Sequence, residues 1–346
     1  MTQQRSKSHH RKKPVPNPVD PQNVPTWPSY RGQSQLVGTS PSGKVTVYVD
    51  PSLGQQGTQN AQDLLNDADR VVTANDGIFG TTAGPVSVIV FALNGATDGT
   101  GGADHMGCDY TVGNAIEVDA SFGNSARVSA LFEAELSECS MNNNLCGEST
   151  GEALSRWCAA VIGNNALADF ATAPQWAADG MPNWVDQTEN TDQDGDSIGC
   201  GMAFISWLIS QGHGLEKIAP AMVNLGNGGT LAQLFATLTG DDASNAWPDF
   251  QNAIESLAGG VNNDDPFNGL SQPQQMTHLA PRTAELVGRI FATMVADVAA
   301  RRQPEEIAAN VRAAMAPVSR PSAPAVCMPK SKRLLPPGKQ RPAKTA

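Results

Sequence analysis

Histidine is scarce in this 346-residue chain: there are five, of which His9 and His10 lie in a basic stretch at the start and His105, His213 and His278 are far apart. No pair stands at the i, i+4 spacing that would put two imidazoles on one helix face around a zinc ion. The six cysteines (Cys108, Cys139, Cys146, Cys158, Cys200 and Cys327) contain no C-x-x-C, which excludes a zinc signature of that kind. There is no G-x-S-x-G turn, and no Cys–His nucleophile pair can be read. No run approaches the roughly 18 apolar residues of a membrane span. Met1 to Lys13 is polar and basic with no apolar segment after it, so no secretory signal peptide is expected and cytoplasmic residence is the default. Dedicated export or packaging into a particle would leave no such trace. Cys139 can pair with Cys146, or Cys108 with Cys200, and six cysteines in a chain of this length equally suit a reduced protein.

Charge is present but unevenly placed. Residues 1–13 and 320–346 together carry twelve of the 23 basic residues and none of the 34 acidic ones, so the chain between them holds eleven against 34, a net charge of −23. Both ends are also rich in proline (Pro14, Pro16 and Pro18 in one, Pro336, Pro337 and Pro342 in the other), a composition that cannot offset the entropy of ordering. The expectation is a disordered basic arm over 1–42 and a disordered basic tail over 318–346. Such arms suit an anionic partner through counterion release, or fold back on their own acidic domain.

Between the arms the periodicity is that of an α+β domain over 43–258, with ample chain for a full core. A helical stripe (Ala61, Leu64, Leu65, Ala68, Val71, Val72) predicts a helix over 59–76, and Val86 to Ala92 reads as a strand. A short strand is expected over 115–118. Asn124 or Ser125 then caps a helix running to about Met141, a second helix begins near Thr150, and the remainder, including 198–210 and 214–218, is helical in pattern. A Gly/Asn/Asp-rich linker over 259–279 leads to a helical appendage over 280–317. Its stripe (Leu286, Ile290, Phe291, Met294) either packs on the core or pairs with a second chain, which makes a homo-oligomer one of the expected assemblies.

The most informative segment is Ala134-Glu135-Leu136-Ser137-Glu138 in the middle of the first of those two helices. It stands where H-E-x-x-H would stand, with the glutamate kept and both histidines absent. Gly101-Gly102-Ala103-Asp104 precedes it and Gly151-Glu152-Ala153-Leu154-Ser155 follows it. In this order, over roughly residues 45–258, the chain resembles the gluzincin branch of the zincin metallopeptidases, and the resemblance implies a zincin-like domain with a small sheet and a mainly helical second half. Carried over residue by residue, it implies that Ala134 and Glu138 occupy the two histidine positions, Glu135 the general-base position and Glu152 the third-ligand position.

Two of these four positions depart from the family. Alanine offers no ligand, and carboxylate in place of imidazole hardens the site, so zinc is not expected. No cofactor is expected by default. If Glu135, Glu138 and Glu152 converge, the cation they suit is calcium, magnesium or manganese, or else they crowd and raise one another's pKa values. His105 follows the Gly-Gly-Ala-Asp segment and is a candidate to approach Glu135, though a lone histidine among glycine turns is commonly a loop residue. Glu152 equally fits the capping box Ser149-Thr150-Gly151-Glu152, and Glu133, Glu135 and Glu138 equally fit a solvated acidic face. A second candidate is Asp192, Asp194 and Asp196, spaced like the first half of a calcium loop. The twelfth position counted from Asp192 is Ala203, which excludes an EF-hand, and any site there needs Asp186 or Glu189 to complete it; an acidic turn is the simpler reading.

Three functions remain open on the sequence. One is a catalytically degenerate zincin-like module that binds a protein or peptide through the old cleft. Another is a hydrolase using a carboxylate-held cation or a carboxylate pair. The third is a structural or packaged protein that associates through its basic arms.

Overall fold

The computed structural model describes residues 24–271 apart from 96, 98–100 and 112–113. The first 23 residues of the expected arm, the appendage over 280–317, the tail over 318–346 and Cys327 lie outside the described residues.

Five strands form one mixed sheet: β1 (Gln35–Thr39), β2 (Val45–Val49), β3 (Val86–Phe91), β4 (Ala103–His105) and β5 (Ala115–Asp119), in the order β1-β2-β3-β5-β4. The central pairs β2/β3 and β3/β5 are parallel, and the two outer strands run antiparallel to their neighbours. The sequences VTVYV and VSVIVF are apolar nearly throughout because both faces of the sheet's centre are covered. Eight α-helices accompany the sheet in the described residues: α1 (Gly54–Phe79), α2 (Ser125–Ser140), α3 (Ser149–Ile162), α4 (Ala173–Ala178), α5 (Gly195–Ser210), α6 (Leu215–Leu225), α7 (Leu231–Thr239) and α8 (Ala246–Glu255). The class is α+β.

One face of the sheet is covered by α1 and α2. The buried stripe of α1 runs through Ala61, Leu64, Ala68, Val71 and Val72, as its spacing predicts, and the helix ends at Gly80 in the left-handed conformation (φ 65°), where a residue without Cβ is unstrained. The helix extends beyond the predicted 59–76 at both ends. α2 starts where Asn124 accepts the backbone N–H of Arg127, and it is buried almost all round, between the sheet and α1 on one side and α3 on the other. That burial overturns the solvated acidic face: Glu133 has no exposed surface and Glu135 is nine-tenths buried. The second half of the core is organised on α5, apolar on every side and packed by α3, α4, α7 and α8.

The opposite face of the sheet is covered by the chain's own N-terminal segment. Trp27 packs edge-on against Tyr48 and Tyr30 tilts over Phe91, each with ring centroids 5.3 Å apart. The fully buried carboxylate of Glu117 on β5 accepts the backbone N–H groups of Ser29 (3.0 Å) and Tyr30 (2.6 Å) and the Ser29 hydroxyl (2.7 Å). Residues 27–39 are thus a strap and a strand rather than the end of a disordered arm. The arm's boundary moves because proline-rich composition says nothing of the aromatic pair, Trp27 and Tyr30, that finds an apolar sheet face.

Candidate functional site

β4 lies at the sheet's end, and its His105 stands in register with Ile116 of β5. β5 leads through a tight turn into α2, so the face of α2 carrying Glu135 and Glu138, three residues apart, is brought against β4. His105 Nε2 lies 2.9 Å from Glu138 Oε2 and 4.0 Å from Glu135 Oε2. One ligand atom from each of His105, Glu135 and Glu138 falls within 4.8 Å of the others. Ala134, at the position where a helix-borne imidazole would sit, is buried and contributes a methyl group. The structure therefore has an imidazole at the cluster after all, from the edge strand instead of the helix.

The loop after β4 holds that imidazole in place. His105 Nδ1 donates to the Gly107 carbonyl at 2.7 Å, an oxygen that can only accept, so the proton is on Nδ1 and Nε2 is the atom turned to the carboxylates. The same carbonyl accepts the Cys139 thiol at 3.6 Å. Cys108 is disulfide-bonded to Cys146, with Cα atoms 5.9 Å apart, and the Cys108 carbonyl accepts the Asn143 N–H at 2.7 Å. Tyr110 Oη reaches the Leu136 carbonyl (3.2 Å) and Ser140 Oγ (2.6 Å) on α2. The turn between α2 and α3 takes left-handed backbone at Asn142 and Asn143 (φ 55° and 66°), a conformation that asparagine tolerates. Neither expected cysteine pairing forms: Cys139 and Cys200 are free and buried, because the partner of Cys146 is set by the meeting of two loops distant in sequence.

Glu152 sits on the first turn of α3. Gly151 beside it passes so close to the Leu145 carbonyl that a Cβ there would collide with it. The capping-box reading fails: no side-chain hydrogen bond caps α3, and Glu152 instead accepts Arg156 Nε at 2.6 Å, one turn on. The i, i+4 spacing of Glu152 and Arg156 on one helix is the local signal by which this pair is legible in the sequence. Glu152 lies outside the 4.8 Å group yet close enough to act on Glu135, as does Asp192.

Electrostatics follow from this crowding. Burial first, then the charges of Glu138 and Glu152, push the Glu135 carboxyl well above its ordinary value, which favours a bound proton. Burial raises Glu152 too, against the opposing pull of Arg156. For His105 burial is the largest single influence and works to lower the value, but the hydrogen bond and charge of Glu138, the Gly107 carbonyl and the charge of Asp104 together outweigh it and the net direction is upward.

The cluster's donors are one imidazole nitrogen with its other nitrogen fixed by a backbone carbonyl, plus two carboxylates. That arrangement fits a divalent cation such as manganese, which takes carboxylate oxygens at a smaller coordination number, better than calcium, which takes six to eight oxygens at typical sites. The aspartates of the 190s loop do not assemble. Asp194 caps α5 by accepting Ser197 N–H at 2.8 Å, Gln193 bonds Asp192, Glu189 takes the Thr191 N–H and hydroxyl, and Asn183 holds Asp186. The turn-forming side chains apart from Asp196, whose Oδ1 is buried without a hydrogen bond, satisfy one another locally, and among the described residues the three-carboxylate calcium grouping of Asp192, Asp194 and Asp196 is not found.

The chain matches no family model, no curated protein and no solved structure.

Proposed function

We propose that the chain is a zincin-like protein whose cleft has exchanged a helix-borne zinc site for a divalent-cation site on His105, Glu135 and Glu138, and that it binds a peptide-like partner there. The observation that carries the reading is the meeting of His105 Nε2 with both carboxylates while Gly107 fixes Nδ1. Support for the zincin-like frame comes from an antiparallel edge strand beside the helix with Glu135 and Glu138, followed by a helix with Glu152.

β4 is the last strand in the sheet order, so its outer edge offers backbone groups to an extended segment, the mode by which a peptide adds a strand to a sheet. The surrounding carboxylates of Asp104, Glu138 and Asp192 favour a positively charged segment. No described helix is long and apolar enough to cross a membrane. The Cys108–Cys146 bridge favours an oxidising environment over the cytoplasm expected by default.

A second reading, hydrolysis at the same place, is favoured by the raised carboxyl of Glu135. A buried acid that holds its proton more tightly than an ordinary carboxyl is suited to general acid–base work. A cation held here would polarise a carbonyl oxygen. His105 would orient through Gly107, and Glu135 would hold or give up a proton at Oε2.

The test is elemental analysis of the full chain after dialysis against manganese, with His105→Ala and Glu138→Ala alongside. Stoichiometric metal in the wild type, lost in both folded variants, is the expected result. No retained metal in the wild type overturns the cation site, and a cleaved peptide in the wild type but not in Glu135→Gln selects hydrolysis over binding alone.

A further inference from the structure

Glu152 and Arg156 are the unexplained pair beside the cluster. Their ion pair is short, 2.6 Å, and only about a quarter of either side chain is exposed. The guanidinium is anchored a second time, by Nη1 donating to the Phe170 carbonyl at 2.9 Å. Glu152 faces three other carboxylates, so a cation arriving among them attracts it by unlike charge, and among the described residues Arg156 is the cation that competes for it.

Behind Arg156 is a cavity of about 50 Å³, room for a few water-sized groups. Its walls include Arg156, Trp157, Asn165, Phe170, Met202 and Asp264. Asp264 is mostly buried, and its Oδ1 accepts the N–H groups of Thr172 (2.9 Å) and Ala173 (2.7 Å). These two bonds occupy one oxygen and leave the other without a hydrogen bond from a described residue. Asp264 also feels the charge of Arg156. Arg156 therefore stands between two acidic residues, one in the cleft and one across a cavity large enough to admit part of a guanidinium.

We propose that Arg156 is a two-position latch: paired with Glu152 it keeps that carboxylate out of the His105/Glu135/Glu138 cluster, and by turning into the cavity toward Asp264 it releases Glu152 to become a fourth ligand. The inference rests on the cation site proposed above. It makes Arg156 a positioning residue, acting through Glu152, and it makes cation affinity depend on a residue that never meets the cation.

The experiment is manganese titration of the full chain, read by the loss of the free-ion paramagnetic signal, in wild type, Arg156→Gln, Glu152→Gln, Asp264→Asn and the double variant Arg156→Gln/Glu152→Gln. Arg156→Gln is expected to bind several-fold more tightly than wild type, Asp264→Asn more weakly, and the double variant to match Glu152→Gln alone. Equal or weaker binding by a folded Arg156→Gln overturns the latch while leaving the cluster standing. A metal-free measurement separates the two ideas where the wild type takes up no manganese. In Glu152→Gln, the ¹⁵N–¹H signal of Arg156 Nε is expected to move when Asp264→Asn is added; the same addition to the wild type is expected to leave it in place. A signal indifferent to Asp264 in both backgrounds overturns the second position of the latch.

Discussion

His105 Nε2 and Glu138 Oε2 are 2.9 Å apart, and since His105 Nδ1 already donates to Gly107, a proton must lie between them or a cation must take its place. An imidazolium facing a carboxylate satisfies the geometry, and so does a neutral imidazole facing a carboxylic acid. In either case the contact is a proton store at the mouth of α2, which makes the cleft sensitive to pH in the metal-free protein.

The direction of that sensitivity is fixed by the upward shift of His105. A raised imidazole stabilises the fold fully below its ordinary value of 6.5, and the stabilisation is lost as pH rises through the higher folded value. Nuclear magnetic resonance titration of His105 in chelator should give a value above 6.5, falling in Glu138→Gln. A wild-type value at or below 6.5 refutes the pairing.

Glu133 offers a test inside the core. Its carboxyl is fully buried, neither oxygen has a hydrogen bond, and burial, partly opposed by Arg70, holds its value well above 4.5. A carboxyl raised in this way destabilises the fold increasingly as pH rises above the unfolded value. Glu133→Met, of similar length and without an unmet polar group, is expected to stabilise by about 1–3 kcal/mol near neutral pH, and by less in acid. Urea unfolding at two pH values measures it; a destabilised variant at both would show that Glu133 has a partner in solution.

The disulfide Cys108–Cys146 closes a loop of 38 residues and, through Gly107, supports the ring of His105. Loop-closure entropy alone makes its removal cost about 4 kcal/mol, with 2–4 kcal/mol a realistic range. Cys108→Ser/Cys146→Ser should lower the urea midpoint by a corresponding amount and weaken cation uptake. Thiol counting in denaturant under non-reducing conditions provides the direct check, and free thiols at both positions would remove the bridge.

The strap depends on one carboxylate. Glu117→Gln removes an ionised acceptor for Ser29 and Tyr30, a change worth about 1.5–3 kcal/mol for bonds to a charged group. The expected signature is local: faster amide exchange and protease cleavage around residues 27–31, with α2 and α3 unaffected. Uniform destabilisation without a local opening would count against this account of the strap.

Much of the architecture was readable in one dimension. The stripe of α1, the apolar runs of β3 and β5, the cap at Asn124 and the start of α3 are local patterns, and each falls within a few residues of its expected place apart from the extended ends of α1. β4 escaped because three residues carry no period, and β1 because it lies at the end of an arm rich in proline.

At the site, the sequence alone determined which residue types were present: a helix that keeps Glu135 and Glu138 but has Ala134 in place of a ligand, and a Glu152 one turn before Arg156. Tertiary structure alone decided that His105 faces Glu138, that Cys108 joins Cys146 and that the cluster of His105, Glu135 and Glu138 forms without Glu152. The reason is physical. Helix and strand periodicity is set by neighbours a few residues apart, whereas the meeting of β4 with α2 depends on strand order and register. Those are chosen by the burial of the whole sheet between α1, α2 and the strap, and no local pattern records that choice.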